Sequence, residues 1–208
     1  MSSSESPRRV GVMLFDRFEL LDVFGPLELL GALPEHFELS MIGPTAGPVR
    51  SAQGPEVLAA DCYSNASVPD IVLVPGGIGT RSLVEDGGFL AWLASWAGSA
   101  QLVTSVCTGS AVLASAGLLD GYRATSNKRA FSWAASQGPR VDLVRQARWV
   151  EDRDRWTSSG VAAGMDMTLA LIAHLHGDEL AARVADRVEY DWHRDPSWDP
   201  FAAKHGVI

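Results

Sequence analysis

Disulfide-forming residues are scarce: 208 residues hold only two cysteines, Cys62 and Cys107. Two cannot make the framework of a disulfide-stapled scaffold, and a cytoplasmic setting disfavours even one bridge. Basic residues are outnumbered, with 17 Lys and Arg against 25 Asp and Glu, for a formal net charge of −8. An acidic chain of this kind offers no broad surface for nucleic acid. No apolar run reaches the ~18 residues of a membrane span. The longest candidate, residues 161–175, carries Asp166 and His174. Residues 1–9 are polar and Ser-rich and lack the apolar stretch of a secretory signal. H-E-x-x-H and C-x-x-C patterns are both missing, so neither a metal nor a cofactor is expected. The expectation is a cytoplasmic protein that acts on a small molecule and binds neither membrane nor nucleic acid.

Hydrophobic residues make up 47% of the chain and charged residues 20%, an ordinary balance for a globular fold. A domain of this size buries roughly 70% of its unfolded surface and needs no staple. One domain over residues 8–190 is expected, with residues 1–7 flexible and residues 191–208 a tail packed on the domain or on a dimer partner. Short apolar runs alternate with helical patterns, the signature of a parallel sheet covered on both faces. Strands are expected at residues 10–15, 37–42, 70–74 and 101–106, and a short one at 124–125. Residues 43–55, rich in Gly and Pro, read as turns leading into a hairpin near Val57 and Leu58. A second hairpin is expected around residues 151–154. Helices are expected over residues 22–30, 81–97, 111–118, 128–136, 164–175 and 179–189, with Asp22 as a possible cap and Pro26 in a first turn.

Open α/β sheets bind ligands beyond the carboxyl ends of their strands. Cys107 stands at such an end, among small residues, where a strand turns sharply into a helix. A nucleophile elbow exposes its side chain in this way, and the helix end would favour a thiolate there. Gly76 and Gly77 follow another buried strand. Their backbone can come close to a ligand, with the Gly77 N–H beside that of Thr108 as an oxyanion site, as a phosphate cradle, or as a plain tight turn. Asp22 is an acid among apolar residues; facing Cys107 in a dry pocket, it would have a raised pKa and could pass protons. Leu21 and Ile78 suit an apolar substrate group. None of the five histidines neighbours Cys107 in sequence.

Four segments occur in an order that resembles the DJ-1/PfpI superfamily, also called ThiJ/PfpI or class I glutamine amidotransferase-like. They are Val72-Leu-Val-Pro-Gly-Gly77, Val103-Thr-Ser-Val-Cys-Thr-Gly-Ser110, Ala116-Gly-Leu-Leu-Asp-Gly121 and Ser159-Gly-Val-Ala-Ala-Gly-Met-Asp166. The resemblance spans about residues 8 to 190. It implies a flavodoxin-like three-layer α/β sandwich with a mostly parallel sheet, and a homodimer. Within the superfamily the chain is most similar to isocyanide hydratases, through Leu21-Asp-Val-Phe-Gly-Pro26 and the Thr directly after the cysteine. That resemblance implies Cys107 as nucleophile, Asp22 as the adjacent acid and Thr108 as its neighbour. Ser126-Asn-Lys128 stands where many relatives have Thr-His-Trp. Peptidases of the superfamily place His after the cysteine, so Thr108 argues against them, and the His-x-Glu pair of amidotransferases is missing. A cysteine-based redox sensor and a glyoxalase-like enzyme are the alternatives.

Overall fold

The computed structural model describes residues 6–208. The expectation of a flexible start lies, up to residue 5, outside the described residues. The chain forms β1 (Arg8–Met13), α1 (Leu20–Gly31), β2 (Phe37–Gly43), β3 (Gly47–Arg50), β4 (Glu56–Ala59), β5 (Asp61–Cys62) and β6 (Ile71–Val74). It continues through α2 (Thr80–Leu83), α3 (Gly87–Gly98), β7 (Leu102–Ser105), α4 (Gly109–Ser115), β8 (Arg123–Ala124), α5 (Phe131–Ser136) and β9 (Asp142–Leu143). It ends with β10 (Trp149–Asp152), β11 (Arg155–Ser158), α6 (Ala163–His176), α7 (Asp178–Arg187) and α8 (Pro200–Lys204).

A seven-stranded sheet in the order β10-β11-β7-β6-β1-β2-β5 forms the centre. Every pairing in it is parallel except β10 with β11, a hairpin at one edge. The inner strands are continuous apolar runs because both their faces are covered. Val10, Val12, Met13 and Leu14 are buried, as is all of β6. Helices α1, α6 and α7 pack together on one side, and α2, α3 and α5 gather round α4 on the other. The result is the three-layer, mostly parallel α/β sandwich expected from the sequence.

From β1 the chain moves outward to β2, whereas β6 returns to the other side of β1 and leads on to β7. The sheet therefore reverses direction between β1 and β6, and a crevice opens at the carboxyl ends of the strands there. The loops that follow β1, β6 and β7 all reach it.

Three local expectations need correction. The helix expected over residues 81–97 is two helices, because Gly87 and Gly88 weaken the join and Asp86 caps the second by accepting the Phe89 N–H at 3.0 Å. The helix expected from residue 128 begins only at Phe131; the Lys128 side chain is buried and the Asn127 side-chain Oδ1 accepts the Ala130 N–H at 3.0 Å. Pro26 lies inside α1 rather than in its first turn, and Asp22 is in that first turn without acting as a cap. A proline at 26 deprives the Asp22 carbonyl of its usual helical partner.

The two cysteines are both free thiols, Cys62 in β5 at the sheet edge and Cys107 after β7.

Candidate active site

Strand β7 delivers Cys107 into a left-handed backbone conformation, with φ of 59°. A non-glycine residue there is strained by about 1–2 kcal/mol, so the surroundings must hold it. The Cys107 N–H donates to the Ser159 carbonyl at 3.1 Å. Its own carbonyl accepts from the Ser110 hydroxyl at 3.2 Å and the Ser126 hydroxyl at 3.1 Å. Ser126 lies in the loop after β8, so two separate loops clamp this elbow.

The Asp22 side chain arrives from the first turn of α1 and is fully buried. Its Oδ2 accepts the Gly76 N–H at 2.8 Å. Oδ1 has no N–H or O–H partner and is equally buried. The carboxyl sits beside the Cys107 thiol, close enough for each to act on the other's ionisation. A Cβ on Gly76 would stand 2.6 Å from the Thr108 nitrogen and 2.8 Å from Asp22 Oδ2, so only glycine permits this approach. Burial pushes the Asp22 pKa up to about 8, and nearby Glu19 adds to the rise; the Gly76 N–H and the Cys107 contact work the other way.

Around the sulfur, burial and the Asp22 charge raise the thiol above its ordinary value. The Thr108 N–H, the Val161 N–H and the Asn127 side chain oppose the rise by facing the sulfur as donors. The sequence suggests a helix end that favours a thiolate; here burial works against that charge, and the three donors work for it. The donors become most effective once charge forms on the sulfur.

Thr108 and Gly77 are coupled to each other. The Gly77 N–H donates to Thr108 Oγ1 at 3.1 Å, and the Thr80 hydroxyl lies 3.2 Å from the same oxygen. An anion site built from the Gly77 and Thr108 N–H groups is therefore not laid out as expected, because the Gly77 donor is already engaged by a side chain. Leu21 and Ile78 are 40% and 48% exposed, and neither lines the cavity that borders the sulfur's donors.

Ser126, Asn127 and Val161 escaped the sequence reading of the site. Asn127 has its amide orientation fixed by the Ala130 N–H bonded to Oδ1, which turns Nδ2 towards Cys107 and Gly160. A Cβ on Gly160 would come within 2.3 Å of that nitrogen. Val161 has a φ of 35°, unusual for a β-branched residue. The one signal for Asn127 lay in the departure from Thr-His-Trp at residues 126–128. Lys128 fixes the same loop from within: its ammonium donates to the Ala147 carbonyl at 2.6 Å and to Thr125 Oγ1 at 2.7 Å. Burial lowers its pKa to about 8. Among the described residues no His, Cys, Asp and Glu cluster suited to a metal ion occurs.

A cysteine at a strained strand-to-helix elbow, with a buried acid from the first strand's loop beside it, coincides with a family-wide match: residues 8–174 fit the DJ-1/PfpI family. The chain belongs to the DJ-1/PfpI family. An isonitrile hydratase of Pseudomonas putida is 35% identical over 182 residues, covering 88% of this chain and 78% of that protein. The HTH-type transcriptional regulator GbdR of Pseudomonas aeruginosa is 31% identical over 194 residues. The match covers 90% of this chain but only 52% of the regulator, so this DJ-1/PfpI chain spans about half the length of that relative. Among solved structures, a ThiJ/PfpI family protein from Pseudomonas syringae superposes with a TM-score of 0.82 at 29% identity, covering 90% of this chain and 77% of the other.

Proposed function

We propose that this DJ-1/PfpI chain is a cysteine-dependent hydro-lyase that adds water to an isocyanide, R–NC, and releases the N-substituted formamide. The observation that carries the reading is the buried Asp22 carboxyl in contact with the Cys107 thiol, which keeps a proton at neutral pH because of its burial. An isocyanide needs this pair, since its terminal carbon accepts first a nucleophile and then a proton. The similarity to an isonitrile hydratase supports the same chemistry.

In the proposed sequence the Cys107 sulfur bonds to the terminal carbon as the protonated Asp22 delivers its own proton to that carbon and takes up the thiol proton in exchange, leaving a thioimidate, R–N=CH–S–Cys107, with Asp22 protonated as before. Oδ1, free of N–H and O–H partners, is the oxygen placed to exchange the proton, while the Gly76 N–H holds Oδ2. Water then adds to the thioimidate carbon, the carbon–sulfur bond breaks, the thiol regains its proton and R–NH–CHO departs. The net reaction is R–NC plus water to R–NH–CHO. The Thr108 and Val161 N–H groups and Asn127 stabilise the sulfur whenever it carries charge.

The test is formamide production from p-nitrophenyl isocyanide. Cys107→Ala is expected to abolish it, and Asp22→Asn to lower it at least a hundredfold, in line with the usual contribution of general acid–base catalysis of about 10²–10⁴. Full turnover by the cysteine variant overturns the reading. The similarity to transcriptional regulators across most of this chain favours a second reading, a ligand-sensing domain. Tight isocyanide binding without turnover in the unmodified chain would support it.

A further inference from the structure

A cavity of about 330 Å³ borders the donors of the sulfur, at the small end of the roughly 300–1,000 Å³ typical of ligand pockets. Asn127 and Val161 face Cys107 on one side and line this cavity on the other. Cys107 itself does not line the cavity, so a group attached to a carbon on the sulfur would reach it by passing between these two residues. The opposite wall comes from a distant part of the chain, through Phe201 in α8 and His205 just after it. Their rings lie 6.3 Å apart and only 20° from parallel, a stacked aromatic pair. Arg129 also lines the cavity, is exposed, and its guanidinium makes no ion pair or hydrogen bond among the described residues. No Asp or Glu lines the space, although the chain as a whole carries −8.

A free guanidinium beside flat rings, with no competing carboxylate, suits a planar group bearing an acid. Guanidinium pairs with carboxylate through two parallel hydrogen bonds, and aromatic faces accept another ring. We infer that this cavity holds the N-substituent of the substrate and selects an aromatic one carrying a carboxylate, with Phe201 and His205 against the ring and Arg129 on the acid. The inference rests on the hydratase reading of Cys107 and adds the substrate class to it.

The test compares 4-isocyanobenzoate with phenyl isocyanide on the full chain. The unmodified protein is expected to favour the carboxylate by tenfold or more in kcat/KM. Arg129→Gln should reduce that ratio about tenfold, chiefly through KM for the acid, and Arg129→Lys should restore part of it. A ratio near one, or a ratio unmoved by Arg129→Gln, overturns the assignment while leaving the hydratase reading intact. A second arm needs no turnover: 4-formamidobenzoate should slow alkylation of Cys107 by iodoacetamide in the unmodified protein and fail to do so in Arg129→Gln. If neither isocyanide is converted, the hydratase reading falls and this arm decides the cavity. Protection lost on substitution sustains the site for an anionic ring, and no protection at all overturns it.

Discussion

Asp22 is fully buried and no cation among the described residues offsets its charge, and its weakened acidity follows from that. With its pKa near 8, the folded protein retains a proton that the unfolded chain gives up near the ordinary value of 3.8. The native state binds the extra proton between those values, so the contribution of Asp22 to stability is fullest below about pH 4 and falls as pH rises towards 8. Asp22→Asn removes this loss and preserves an acceptor for the Gly76 N–H. Its stability advantage over the unmodified protein should be small at pH 4 and grow to a few kcal/mol at pH 8, at ~1.4 kcal/mol per pH unit. Urea denaturation across that range measures it, and a constant gap would contradict a raised Asp22. Because the proposed reaction uses Asp22 in its protonated form, kcat/KM should decline as pH climbs through about 8.

Helices and strands supply this chemistry by where they stop. β1, β6 and β7 end on the same side of the sheet, and the loops beyond them bring Asp22, Gly76 and Cys107 together. This part was legible in the sequence: continuous apolar strands mark a sheet covered on both faces, and such a sheet presents its loops at one edge. Cys107 was legible because a small-residue turn between strand and helix has few other uses. Ser126, Asn127 and Val161 were not, because they sit in loops whose composition carries no periodicity and they meet the elbow only in three dimensions. The electrostatic balance at the sulfur was only half visible for a related reason: a helix end can be read in sequence, whereas the burial that opposes it cannot. At the same scale, the break between α2 and α3 depends on Asp86. Asp86→Ala should cost about 1 kcal/mol in thermal or chemical unfolding, with turnover unchanged, since no part of α3 reaches the crevice residues described above.

Across the whole molecule, a buried ionic cluster fastens the end of the chain to the domain. Asp166 in α6 accepts from Arg148 Nε at 2.7 Å, from the Tyr190 hydroxyl at 3.0 Å and from the His193 N–H at 3.0 Å. Burial and the Asp166 charge push the Tyr190 pKa up to about 12. Arg148 also lies 3.9 Å from Asp199, the residue that caps α8. Arg148→Met would leave the Asp166 carboxylate buried without its cation, at a cost of about 3–5 kcal/mol. Limited proteolysis should then cut first between residues 190 and 200. Pairing the change with Asp166→Leu removes both charges, so the double variant should recover much of the lost stability; equal losses in both would argue that the cluster is not what anchors this segment.

The last described residues have a practical bearing. The Val207 carbonyl accepts from Arg145 at 3.1 Å, and His205 borders the cavity beside the sulfur's donors. Anything joined after Ile208, whether a purification handle, a fluorophore or a fused module, leaves the fold only three residues beyond the wall of that cavity. A dye attached there would report occupancy by its emission, and a histidine tag would crowd the entrance with extra imidazoles.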